Sequence, residues 1–150
     1  MDGPTPGFLV WRLSTRWRVA VDRALAPLGL THAQYSVLGS LLDLASPGQM
    51  PSQRALADHT GLEPLYMSKL ARALADAGLI ERTTDPADSR AVRLSLTPAG
   101  SEVTSLAVTV VRRLAGQLLT PLGGLGSRRT ATFVRELTLL LDTPLSMEEP

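Results

Sequence analysis

Between Leu79 and Leu96 the spacing of apolar residues changes from that of a helix to that of a strand and back, and this switch restricts the folds open to the chain. Val92, Leu94 and Leu96 alternate with Arg93 and Ser95, the period of two expected where one face of a strand is buried. Leu79-Ile80-Glu81-Arg82-Thr83-Thr84 leads to them through the turn-rich Asp85-Pro86-Ala87-Asp88-Ser89, so the stretch reads as a β-hairpin. A hairpin set inside an otherwise helical pattern must pack against those helices, because two strands alone are marginal in water.

The flanking segments have the helical period. A first helix is expected from about Phe8 to Ala26, where Leu9, Leu13, Trp17, Ala20 and Ala24 recur on one side, with Arg12, Arg16 and Arg23 on another. Pro27 and Gly29 end it. Thr31 and Gln34 have capping-box spacing for a second helix with Tyr35, Leu38, Leu41 and Leu42 inward, stopping near Ser46-Pro47-Gly48. Ser52 caps a short third helix, Gln53 to Asp58, anchored by Ala55 and Leu56, and Thr60-Gly61-Leu62 breaks it. Glu63 precedes Pro64, a residue tolerated at a first helical position, and Met67, Leu70, Ala71 and Leu74 mark the buried stripe of a fourth helix ending at Gly78. This pair has helix-turn-helix dimensions. Beyond the hairpin, Thr97 caps a long fifth helix with Pro98 first and Val103, Leu106, Ala107, Val110, Val111, Leu114, Ala115 and Leu118 in 3-4 spacing. After Pro121–Gly126, Ser127 caps a sixth with Phe133, Val134, Leu137, Leu140 and Leu141 on one side.

A chain of 150 residues, 44% hydrophobic, buries a real core and is read as one domain. Aromatic residues are only 4%, which favours helices packed on helices. The absence of cysteine removes disulfides, thiolate nucleophiles and Cys-ligated zinc, and suits a reducing cytoplasm. Met1-Asp2-Gly3-Pro4-Thr5-Pro6-Gly7 lacks the basic start and apolar run of a signal peptide, and no apolar stretch is long enough for a bilayer, so export and membrane insertion are not expected. No Gly-rich phosphate loop, no nucleophile with its base and no carboxylate pair on a common face is present, so no catalysis is expected. A net charge of +1 leaves a nucleic-acid partner to be decided by where the charges sit.

Helix-turn-helix followed by hairpin, between long flanking helices, is the order of a winged helix. The chain resembles the MarR family of bacterial regulators. Three segments carry the resemblance: Leu30-Thr31-His32-Ala33-Gln34-Tyr35-Ser36-Val37-Leu38; Gly61 to Leu70 running into Gly78-Leu79-Ile80-Glu81-Arg82; and Asp85-Pro86-Ala87-Asp88-Ser89-Arg90 followed by Leu96-Thr97-Pro98-Ala99-Gly100. The last is the most specific, since an Asp-x-Arg wing followed by Leu-Thr-x-x-Gly marks the family, and Asp88, Arg90, Leu96, Thr97 and Gly100 fit it. The resemblance runs from about Phe8 to Leu141. Ser89 stands where the family often has an arginine, and Leu65 and Tyr66 where small polar residues are commoner. The implied fold is mainly α with a small β-hairpin wing and six helices. Residues 8–30 and 98–142 would form dimerisation helices, 31–97 the winged module, and 1–7 and 143–150 tails. The implied function is sequence-specific DNA binding by a homodimeric regulator, expected to be a cytoplasmic, nucleoid-associated repressor on a palindromic operator, with no cofactor or metal.

With Met67, Leu70, Ala71 and Leu74 inward, the helical period turns Leu65, Ser68, Lys69, Arg72 and Asp76 outward. In a major groove Arg72 or Lys69 would meet phosphate, with Ser68, Leu65 and Tyr66 nearer base edges and Leu65 suited to a thymine methyl. The alternative is a solvated helix face. Ser52, Gln53 and Arg54 at the start of the third helix would offer donors to a phosphate, or Ser52 acts as a cap alone. At the hairpin, Asp88 is expected to hold the Arg90 guanidinium for a narrow minor groove; the alternative is a hairpin ion pair without a DNA role. Between Ser52 and Arg93 six basic residues face six acidic ones, so binding needs cations sorted onto one face. That neutrality also supports a rival reading, a winged-helix protein-interaction module without DNA binding.

The fifth and sixth helices carry apolar faces wider than one small module covers, part of them intramolecular core and part, on the family resemblance, pairing surface. Two reading helices would then lie one DNA turn apart, roughly 34–36 Å. Relatives respond to small aromatic or lipophilic ligands, and Trp11, Arg16, Trp17, His32 and Tyr35 are the candidates for such a pocket; the alternative for each is ordinary core or a solvated side chain. With two histidines and no cysteine, metal and thiol sensing have little to work with.

Overall fold

The computed structural model describes residues 3–45 and 48–146. Ser46 and Pro47, expected to end the second helix, lie outside these residues, as do residues 1–2 and 147–150 of the expected tails. Six α-helices and one hairpin follow in the order α1 (Pro6–Leu25), α2 (His32–Leu44), α3 (Gln53–Thr60), α4 (Pro64–Asp76), β1 (Ile80–Thr84), β2 (Val92–Leu96), α5 (Pro98–Leu118) and α6 (Arg128–Leu141). The chain is a mainly α winged helix-turn-helix protein. Contacts group it into two compact units, Met1–Val111 and Arg112–Pro150, and α5 contributes to both.

In the first unit, local chemistry sets the helix ends. α1 opens two residues earlier than expected, at Pro6, because the Thr5 hydroxyl accepts a bond from the Phe8 N–H and a proline first in a helix needs no donor of its own. A single 3₁₀ turn, Ala26–Leu28, follows. At α2 the expected capping box forms: Thr31 Oγ1 accepts from Gln34 N at 3.1 Å and Gln34 Oε1 from Thr31 N at 3.0 Å. Gly61, at φ 73°, closes α3 in the left-handed region that L side chains disfavour. After Leu62, Glu63 starts α4, so α3, this turn and α4 form the helix-turn-helix.

The core of this unit joins the helices to the wing. Val21, Leu25, Val37, Leu38, Leu41, Leu56, Met67, Leu74 and Leu94 are essentially solvent-free, each removing roughly 1.5–3 kcal/mol worth of apolar surface from water. Two inward expectations need correction. Leu42 is exposed and Val37 is buried, while on α3 Ala55 is exposed and Ala57 is buried beside Leu56. β1 and β2 pair antiparallel in the register Ile80↔Leu96 to Thr84↔Val92. The segment before α3 joins them, because Ser52 bridges Arg93 and the Leu94 N–H donates to Pro51 O at 3.0 Å.

The Leu96-Thr97-Pro98-Ala99-Gly100 stretch has a steric explanation. Thr97 Oγ1 accepts from Gly100 N at 3.0 Å and donates to Gly78 O at 2.6 Å, pulling the start of α5 against the end of α4. A Cβ on Gly100 would lie 1.8 Å from the Leu79 carbonyl oxygen, so no larger residue fits.

The second unit holds the end of α5, a 3₁₀ turn at Thr120–Leu122, and α6. Ser127 Oγ accepts the Thr130 N–H and donates to Leu122 O, and buried Thr130 donates to Gly124 O, so two hydroxyls satisfy the connection. Phe133 is half-buried, whereas Val134, Leu137, Leu140 and Leu141 are exposed. Among the described residues no helix is long and apolar enough to cross a membrane.

Candidate nucleic-acid interface

Burial of Met67, Leu70, Ala71 and Leu74 rotates the opposite side of α4 outward. Leu65, Lys69, Arg72 and Asp76 are exposed and Ser68 is half-buried, the row expected from the helical period, and Tyr66 is exposed as well. Glu63 governs how this helix meets a charged surface. Its Oε1 accepts from Leu65 N at 3.0 Å and its Oε2 from Tyr66 N at 3.1 Å. The positive end of α4 is therefore already neutralised by a carboxylate, and an anion gains little by approaching it. Lys69 and Arg72, a turn or more further on, are the cations this helix presents.

α3 begins differently. Ser52 Oγ accepts only from Ala55 N, at 3.0 Å, leaving the remaining first-turn donors without an acidic partner. Arg54 is exposed beside them. Gln53 is half-buried, and its Oε1 is shielded from solvent with no hydrogen-bond partner among the described residues. Ser52, Gln53, Arg54, Asp88 and Arg90 line an open cleft of about 740 Å³ running from the start of α3 to the wing.

At the wing the expected pairing of Asp88 with the Arg90 guanidinium does not form. Asp88 Oδ1 accepts from the backbone N–H of Arg90 at 3.0 Å, so the carboxylate shapes the turn and leaves the Arg90 side chain exposed. The wing ion pair is instead Arg93–Asp85, at 2.7 Å. In the sequence Arg93 is one of the six basic residues between Ser52 and Arg93, and its place on the polar side of β2, across the turn from Asp85, is the signal for this pair. Hydrogen bonds from Ala87 N, first, and from Arg93 hold the Asp85 carboxyl below the usual carboxylate range. Among the described residues the ion pairs are Arg93–Asp85 and Arg18–Asp22, so Arg54, Lys69, Arg72 and Arg90 are free of them.

The candidate ligand residues divide. Trp11 and Arg16 line a groove of about 410 Å³ on α1 together with Arg12 and Arg23, and Trp17, His32 and Tyr35 do not belong to it. His32 starts α2 with its backbone N–H on Asp22 Oδ1 at 2.7 Å. Partial burial lowers the His32 pKa below its ordinary value, against the raising effect of Asp22, and Arg18 adds to the lowering. Burial raises that of Tyr35, with Asp43 acting in the same direction. Among the described residues no three His, Asp or Glu side chains cluster as metal ligands.

Known proteins share this fold. The sequence model of the MarR family matches residues 28–91, the stretch that includes the helix-turn-helix and the wing up to Ala91. An uncharacterized HTH-type transcriptional regulator of Bacillus subtilis, YdcH, is 36% identical over 75% of this chain and 78% of its own. An HTH-type transcriptional repressor of Mycobacterium tuberculosis is 33% identical, covering 94% of this chain and 93% of its own. The crystal structure of CouR from Rhodococcus jostii RHA1 bound to p-coumaroyl-CoA superposes with a TM-score of 0.75 at 30% identity, over 95% of this chain and 94% of that one.

Proposed function

The chain belongs to the MarR family of transcription regulators, and from that premise we propose that it acts as a homodimeric repressor on a palindromic operator. The observation that carries the reading is the set of five exposed cations without ion pairs among the described residues, Arg54, Lys69, Arg72, Arg82 and Arg90, on the helix-turn-helix and wing of a module whose formal charge is balanced. α4 enters the major groove. Lys69 and Arg72 bind phosphate or guanine edges, and Ser68, Leu65 and Tyr66 lie over the bases. The start of α3, with Ser52, Gln53 and Arg54, holds the backbone, and Arg90, on the turn that Asp88 shapes, reaches the minor groove. Such a protein works in the cytoplasm at the nucleoid.

The exposed apolar residues of α6, and those of α1 other than Trp11, are the pairing surfaces of two copies. A small aromatic acid or its conjugate is the effector class that suits the α1 groove, where Trp11 offers a stacking face and Arg16 a carboxylate partner. The ligand in the CouR structure, p-coumaroyl-CoA, is a thioester conjugate of an aromatic acid, which supports the aromatic part of this class. Selection of bound sequences from a random duplex library tests the DNA reading. Enrichment of an inverted repeat with half-sites about 10–10.5 base pairs apart is expected, and a selection that enriches nothing overturns it in favour of a protein-interaction module.

A further inference from the structure

Two of the free cations of the interface, Arg54 and Arg90, belong to separate pieces of chain, the start of α3 and the tip of the wing, and a phosphate strand bound by both requires a fixed distance between them. Arg93 is the side chain that joins the two. Its Nε and Nη2 donate to Asp85 Oδ2 at 2.9 and 2.7 Å, and its Nη1 donates to Met50 O at 3.2 Å, across 43 residues of sequence. Asp85 in turn organises the wing. Its Oδ1 accepts from Ala87 N at 2.8 Å, and its backbone N–H donates to Ala91 O at 2.9 Å. Met50 stands two residues before Ser52, the cap of α3, and Ser52 itself bridges the Arg93 backbone. One guanidinium thus spans the hairpin turn and the segment that delivers α3, at the rim of the cleft that holds Arg54 and Arg90.

We infer that Arg93, through Asp85 and the Met50 carbonyl, is a positioning residue for DNA binding that sets the gap between the α3 contacts and the wing arginine without itself neutralising a phosphate. This rests on the DNA-binding reading above. A guanidinium is needed because a planar fork of fixed donors defines direction on two partners at once, which a lysine ammonium does not. The charge of Arg93 is also already engaged by the Asp85 carboxylate, whose side chain is only 14% exposed.

Operator titrations of the full chain over a range of salt test this, with thermal melts to show that each variant is folded. Arg93→Gln and Asp85→Asn are each expected to weaken binding by about tenfold, the scale of hydrogen bonds to charged groups, with the slope of log affinity against log salt unchanged. Arg93→Lys should bind as weakly as Arg93→Gln. The decisive readout is coupling: Arg90→Ala should cost about tenfold in the wild-type chain and less than about twofold in Arg93→Gln, whereas a pair that only stabilises the fold gives additive losses. A slope that falls by about 0.9 in Arg93→Gln, with affinity retained in Arg93→Lys, would make Arg93 an ordinary phosphate ligand and overturn the inference. Additive losses, or unchanged affinity, would overturn it too. If the wild-type chain binds no duplex, the functional reading has failed instead, and amide hydrogen exchange then judges the brace alone. Arg93→Gln must accelerate exchange at both Arg90 and Ala55, and acceleration confined to the wing counts against it.

Discussion

Lys69 and Arg72 owe their exposure to the four apolar residues on the other side of α4, and this part of the interface was legible from the sequence because a 3.6-residue period leaves one choice of buried face. Replacing Arg72 or Arg90 by alanine should lower operator affinity without changing the thermal melt, and removal of each phosphate-binding cation should make the salt slope shallower by about 0.9. The role of Asp88 was less legible. A carboxylate two residues before a backbone N–H makes the local bond, because almost no side-chain freedom is lost in forming it, and the more distant guanidinium is left free. The Arg93–Asp85 pair could not be ranked above its competitors in advance, since it depends on how the turn brings residues eight apart into contact. His32 gives a second prediction at this scale. Its folded pKa lies below the unfolded value, so the unfolded chain takes up the proton first as pH falls. Stability should therefore decline on acidification from pH 7 through about 6.5 and level off below the depressed value. His32→Asn, followed by denaturant melts between pH 5 and 8, should remove that part of the slope.

At the scale of elements, capping residues gave reliable starts. Thr31, Ser52, Thr97 and Ser127 all accept first-turn N–H groups as the sequence suggested, because a hydroxyl or amide at the cap is a local property. Facing was less secure for short elements. On the eight-residue α3, Ala55 and Ala57 both sit beside Leu56, and tertiary anchoring through the Ser52–Arg93 bridge decides which turns inward. The junction between β1 and α5 is the element contact most sensitive to side-chain size. Gly100→Ala should destabilise the protein by at least about 1–3 kcal/mol in a denaturant titration, because the added methyl meets the Leu79 backbone and neither side can yield without moving a strand or a helix. Gly7→Ala, in α1 where a Cβ meets nothing, provides the contrast and should leave the midpoint unchanged or slightly raised, since alanine is the better helix former.

For the whole molecule, the apolar stripes were readable from the sequence but their cover was not, since periodicity says which side is apolar and nothing about what lies over it. On α6 Leu139, Leu140 and Leu141 are 64%, 65% and 86% exposed in the single chain. Contiguous apolar surface of this kind is what a monomer avoids and a pairing surface needs. Leu140→Glu should give a folded monomer by sedimentation at micromolar concentration that no longer retards an operator duplex, because a half-site alone lacks the second reading helix. If the leucines of α6 find their shelter only in a second copy, dilution acts on this protein as heat does. Its melting temperature should climb as more chain is added to the cuvette, and a cell holding few copies would keep part of its stock unpaired and silent.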